Sequence, residues 1–174
     1  PIFFRNKVNF SGEEDKGDIT VYNIDTEESN SIFAGYADHN LEITCLGLNS
    51  EATMIAAATT EGKTINIFST ENGSPLYTFS RGSTASHISF ISFQILSTKL
   101  IISSSNGTIH IFKLSKDEED SSSEFFKTYM NYFSKQGSYA KFRIWDPGTV
   151  SIMPNEESIQ TISPTGKIYF GQID

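Results

Sequence analysis

The chain has 174 residues, among them 14 Phe, 7 Tyr and 1 Trp, enough apolar bulk for a packed core and too much for a disordered chain. Thirteen Lys and Arg stand against 21 Asp and Glu, a formal charge of −8, which argues against general binding to nucleic acid or anionic membrane and leaves any phosphate contact to a local site. A single cysteine, Cys45, excludes an internal disulfide framework and fits a reducing compartment, and no apolar run approaches the roughly 20 residues of a membrane span. The opening Pro1-Ile2-Phe3-Phe4-Arg5 lacks an initiator Met and the layout of a signal peptide, and reads as a cut inside a larger protein.

In chain order, one pattern recurs: a glycine, then an alternating apolar strand that ends in an aromatic. It occurs at Gly17–Tyr22, Gly62–Phe68, Gly107–Phe112 and Gly166–Phe170, with glycine spacings of 45, 45 and 59 residues. A period near 45 is that of a four-stranded propeller blade, and the longer last spacing places an insertion between Phe112 and Gly166. The first period is represented by a strand around Ile19–Ile24. The second predicts strands at Glu42–Asn49, Met54–Thr59, Thr64–Ser69 and Pro75–Phe79. The third predicts His87–Gln94, Lys99–Ser104, Thr108–Leu114 and Tyr139–Trp145, and the fourth begins with Thr149–Met153 and Ser158–Ser163. The expected fold is therefore all-β, a partial WD40-like β-propeller with about two complete and two partial four-stranded blades. A small β-sandwich of the same strands is the alternative, and would make the two equal spacings coincidental. A closed ring needs further blades, expected upstream or on a second polypeptide.

The third repeat draws attention before any family is considered. Residues two apart on a strand share a face, so Thr108 and His110 point one way and Ile109 and Ile111 the other. Ser103 or Ser104 on the adjacent strand supplies hydroxyls, and Arg81 enters from the end of the preceding blade. The stretch from Ala58 to Lys113 holds only the acids Glu61 and Glu71 against Lys63, Arg81, Lys99 and Lys113, so it is locally basic. A guanidinium fork, an imidazole and hydroxyls together suit phosphate, and His110 is expected to add a charged donor below roughly pH 6.5. A structural hydrogen-bond network is the competing reading of the same Ser/Thr/His set.

Ile43–Asn49, Ile55–Thr59 and Ile65–Phe68, followed by Ser103-Ser104-Ser105-Asn106-Gly107-Thr108-Ile109-His110-Ile111-Phe112, resemble the PROPPINs. These are seven-bladed propellers that bind phosphatidylinositol 3-phosphate and the 3,5-bisphosphate. Tyr132-Phe133-Ser134 and Ser138–Phe142 resemble the segment after the family's long loop. The family's Phe/Leu-Arg-Arg-Gly motif is here Phe79-Ser80-Arg81-Gly82. The resemblance implies later strands of blade four at 1–40, blade five at 41–82, blade six at 83–146 with a loop insertion at 115–137, and the start of blade seven from 147 to 174. It implies a sixth-blade headgroup pocket of Arg81, Ser104, Thr108 and His110, with Ser103 a further candidate. It implies a weak or absent fifth-blade pocket of Thr59, Lys63 and Asn66, because Ser80 replaces the arginine that would serve it. It further implies a cytoplasmic protein, peripheral on endosomal, vacuolar or autophagosomal membranes. Its partners would be phosphoinositide membranes and, through blades outside this chain, autophagy-related proteins.

The insertion opens with the acidic run Asp117-Glu118-Glu119-Asp120. Phe125, Phe126, Tyr129 and Met130 follow at helical spacing, with Tyr132 and Phe133 beyond. By resemblance this loop enters the bilayer; the alternative is a helix packed back on its blade. No catalytic constellation, cofactor motif or metal set stands out. The histidines His39, His87 and His110 are scattered, and no acid orients His110 toward Ser104, so an enzyme is not expected.

Overall fold

A computed structural model describes residues 18–23, 25–27, 29–33, 42–114 and 137–173, and all its strands pair antiparallel. The first sheet joins β1 (Asp18–Tyr22) to β2 (Ser29–Phe33). The second holds β3 (Ile43–Leu48), β4 (Met54–Thr59), β5 (Thr64–Ser69) and β6 (Pro75–Ser80) in chain order. The third holds β7 (Ile88–Phe93), β8 (Lys99–Ser104), β9 (Thr108–Lys113) and β10 (Ala140–Arg143), again in chain order. The fourth runs β11 (Val150–Ile152), β12 (Ser158–Ile162) and β13 (Ile168–Gln172). Two four-stranded meanders flanked by a two-stranded and a three-stranded sheet are the partial propeller that the repeats predict. The third strand of the fourth sheet, β13, is the one that the Gly166–Phe170 repeat marks.

Strand alternation decides how the sheets join. Ile65 and Ile67 of β5 face Ile88, Ile91, Leu100, Ile102 and Phe112 of the third sheet, while Phe68 faces back to Ile19, Ile43, Ile55 and Ala57. One sheet further on, Ile101, Ile109 and Ile111 face Met153 and Ile159 of the fourth. Each full sheet is thus buried on both faces, and each fully buried Ile or Phe contributes about 1.5–3 kcal/mol. Phe79 and Phe112 stack across the seam between the second and third sheets, with ring centroids 4.7 Å apart. Cys45 packs at the edge of the same cluster, and burial pushes its thiol up to about 11, so it is a structural rather than a reactive cysteine.

The repeat glycines have a steric cause. Gly62 and Gly107 have φ of 55° and 77°, in the left-handed region. A Cβ on Gly62 would lie 2.1 Å from the Ser86 carbonyl, and one on Gly107 would lie 2.0 Å from that of Ile144. Each β-turn is therefore pressed against neighbouring backbone that only glycine admits. These turns lead into the N-terminal ends of β5 and β9, where the candidate site residues begin.

Candidate functional site

The register of the third sheet fixes which side chains meet. Ile102 pairs with His110 and Ser103 with Ile109. His110 therefore shares its face with Phe112 and looks toward the second sheet, and Ser104 and Thr108 lie along the same face. The seam between the second and third sheets brings Arg81, Ser104, Thr108 and His110 together, all of them buried. Ser103 belongs elsewhere. Its neighbour Ser104 occupies the seam face, so Ser103 turns to the fourth sheet, where its Oγ donates to Ser151 Oγ at 2.8 Å. Ser151 Oγ in turn lies 2.9 Å from Thr161 Oγ1. Ser103 is thus an interblade staple and not a seam ligand.

Arg81 follows β6 and is held by its own loop. Its Nε donates to the Gly62 carbonyl, and a terminal guanidinium nitrogen donates to the Thr84 carbonyl. Two anchors of this kind fix the plane of the fork and leave its other N–H groups for a ligand. Burial lowers its pKa from the usual value, but a guanidinium stays cationic. No carboxylate pairs with Arg81 among the described residues.

His110 is 2 % exposed, and neither ring nitrogen has a hydrogen-bond partner. Burial is the main cause that lowers its pKa to about 4, helped by the positive charges of Arg81 and Lys141. The expectation of a charged imidazole just below pH 6.5 is therefore corrected: in the free protein His110 is neutral across the physiological range. A neutral ring offers one N–H donor and one acceptor, and an arriving anion would raise its proton affinity. Ser104 is also more constrained than its sequence suggests. Its Oγ donates within the turn, with Asn106 Oδ1 at 2.7 Å and the Thr108 carbonyl at 2.8 Å, while Asn106 Oδ1 accepts the Thr108 amide at 3.0 Å. Ser104 must turn its hydroxyl to reach a phosphate.

Two residues that the sequence did not single out complete the seam. Lys141 pairs in register with His110, and Arg143 with Thr108. Both therefore project from β10 on the His110 face, at its outer rim. The only available signal was the antiparallel pairing of β10 with β9 across a long connection.

The matching positions of the second sheet are Thr59, Thr64 and Asn66, with Thr78 paired to Asn66 and Ser80 to Thr64 on β6. They look toward the first sheet, on the side of Ala57 and Phe68. Alternation at the end of β6 sends Ser80 to this seam and Arg81 to the next. Asn66 Oδ1 is buried without a partner, like the imidazole at the corresponding place one sheet on. Lys63 does not join it: its Nζ is 2.9 Å from Glu61 Oε2, and both side chains are well exposed. Phe125, Phe126, Tyr129 and Met130 lie outside the described residues. Among the described residues no helix is long and apolar enough to cross a membrane, and no His/Cys/Asp/Glu group could hold a metal.

With this geometry in hand, comparisons give the family. A family model described as PROPPIN matches residues 4–163. Autophagy-related protein 18 of Aspergillus oryzae is 46% identical over 85 residues, 49% of this chain and 21% of that protein. The Kluyveromyces lactis Hsv2 structure with complete loop 6CD superposes with a TM-score of 0.73 at 17% identity, covering 96% of this chain and 60% of that one. A complex of KlAtg21 with the coiled coil of AgAtg16 superposes with a TM-score of 0.70 at 21% identity, covering 96% of this chain and 49% of that one. The chain spans about a fifth of the length of the curated relative, and the two structures show the fold. That fold is a β-propeller of which this chain forms part, in a family of lipid-binding proteins rather than enzymes. The chain belongs to the PROPPIN family.

Proposed function

We propose that this chain supplies the phosphoinositide pocket of a peripheral membrane effector acting in autophagy or endosomal traffic. The ligand is phosphatidylinositol 3-phosphate or the 3,5-bisphosphate, held in the seam between the second and third sheets. In family terms the four sheets are blades four to seven, and the seam pocket is that of blade six. One observation carries the reading: an anchored guanidinium with N–H groups to spare beside an imidazole with both nitrogens unpartnered, in a seam where no carboxylate among the described residues pairs with the arginine. Buried polar groups without partners are rare in folded proteins and call for a cause; a phosphate is one that suits this set. Such a protein works from the cytoplasm, on endosomal, vacuolar or autophagosomal membranes. Its autophagy-related protein partners would be engaged through blades outside this chain.

A second reading is a propeller scaffold with lost or weak lipid affinity. The neutral Ser80 on the seam between the first and second sheets favours it, because a single remaining pocket forfeits two-site avidity. Vesicle flotation of the complete protein separates the two. Wild type should float with vesicles carrying the 3-phosphate lipid and Arg81→Ala should stay below. Equal recovery on vesicles lacking that lipid would support the scaffold.

A further inference from the structure

We propose that strand β10 and the residues flanking it form a cation–aromatic row that lies on the lipid headgroup layer beside the pocket. The proposal rests on the reading above, that the seam holds a lipid headgroup, and adds the surface on which the surrounding bilayer sits.

Three observations carry it. The first is position. β10 is the outermost strand of the third sheet, and Lys141 and Arg143 stand in register with His110 and Thr108. The row is thus the outer lip of the pocket. A phosphate seated at His110 leaves its glycerol and acyl chains beyond that lip, so the membrane surface must approach β10.

The second is composition. Trp145 is 84% exposed and Tyr139 46%. Each carries a cation on its ring: Arg143 Cζ lies 4.9 Å from the Trp145 centroid and Lys113 Nζ 3.9 Å from that of Tyr139. Aromatic rings with cations alongside are the side chains that settle at a bilayer interface. The other strongly exposed aromatic among the described residues, Phe170, has a different setting: it lies on β13 of the three-stranded sheet, close to the exposed Ile162 and Ile168.

The third is charge. In a chain of net charge −8, residues 137–145 contain no acid. Lys113, Lys141 and Arg143 have no carboxylate partner among the described residues. Asp146, the next residue, is turned away: its Oδ2 accepts from Tyr169 OH at 2.8 Å and Thr165 Oγ1 at 3.3 Å, and lies 3.6 Å from Lys167 Nζ. The row thus presents cations and rings to the solvent, a pattern complementary to an anionic headgroup layer.

The test uses the complete protein with two probes. Soluble inositol 1,3-bisphosphate reports the pocket alone. Phosphatidylcholine vesicles carrying the 3-phosphate lipid report pocket and surface together. Trp145→Ala should weaken vesicle binding at least about fivefold while leaving affinity for the soluble headgroup within about twofold, and Trp145→Phe should restore most of the loss. Quenching of tryptophan emission by brominated lipid should occur in wild type and lose its Trp145 share in Trp145→Phe. Vesicle binding by Trp145→Ala equal to wild type overturns the proposal and leaves the pocket standing. Trp145-dependent binding to vesicles without the phosphoinositide, with no soluble-headgroup binding, supports the row and overturns the pocket. Wild type that binds neither probe overturns both.

Discussion

The second and third sheets present the same side-chain positions to the seams before them, and differ there almost only in charge. Thr59, Thr64, Asn66, Thr78 and Ser80 face the first sheet; Ser104, Thr108, His110, Lys141 and Arg143 occupy the corresponding places facing the second. Both turns need a left-handed glycine, and both seams bury a polar side chain without a partner. The third sheet adds Arg81 from the preceding strand end, whereas Lys63 near the other seam is tied to Glu61. One scaffold therefore yields two outcomes. The hydroxyls and the buried amide or imidazole belong to the blade, and in the proposed reading the cations are what make the second copy a phosphate site. A lone hydroxyl or amide contributes about 0.5–1.5 kcal/mol, a charged partner about 1.5–3.

The comparison breaks most readily at Arg81. Arg81→Ala should weaken soluble-headgroup binding tenfold or more, on the order of the loss of a charge-assisted pair. Arg81→Lys should recover only part, because an ammonium lacks the fork. The converse sharpens it. Asn66→His with Thr78→Lys and Ser80→Arg copies the cations into the other seam, and calorimetric stoichiometry should rise from one headgroup towards two. Failure of this graft with the protein still folded would mean that the scaffolds differ in more than charge.

A smaller effect separates the two seams by pH. Asn66 does not titrate, but His110 does. Its pKa in the folded protein lies below the unfolded value of about 6.5, near 4. The folded state therefore binds fewer protons between those values, and stability should fall as pH drops from about 6.5 to about 4. His110→Gln should flatten that slope. Headgroup binding should raise the His110 pKa, seen as a shifted imidazole titration by NMR. Smallest of all, Lys63→Ala should change headgroup affinity less than about twofold, since an exposed ion pair is worth little.

Much of this was legible in the sequence because its signals are local. The 45-residue glycine spacing gave the blades, and period-two alternation placed Thr108 with His110 against Ile109 and Ile111. Through the family resemblance the Phe79-Ser80-Arg81-Gly82 segment raised the expectation of one strong and one weak pocket, which the headgroup titrations test. What the sequence could not show needs register or burial. The residues alone left Ser103 or Ser104 open, the resemblance put Ser104 first with Ser103 as a further candidate, and the pairing of Ser103 with Ile109 turns Ser103 away. Lys141 and Arg143 were hidden because β10 returns to β9 only after residues 114–139, so no local pattern sets its register. The neutrality of His110 depends on its burial and on Lys141, which a linear reading does not bring together.

The central claim is tested most directly by calorimetric titration of soluble inositol 1,3-bisphosphate into wild type, Arg81→Ala and Lys63→Ala. The account expects one site per chain, lost in Arg81→Ala and intact in Lys63→Ala. A site of undiminished affinity in Arg81→Ala, or one that disappears with Lys63, would contradict it.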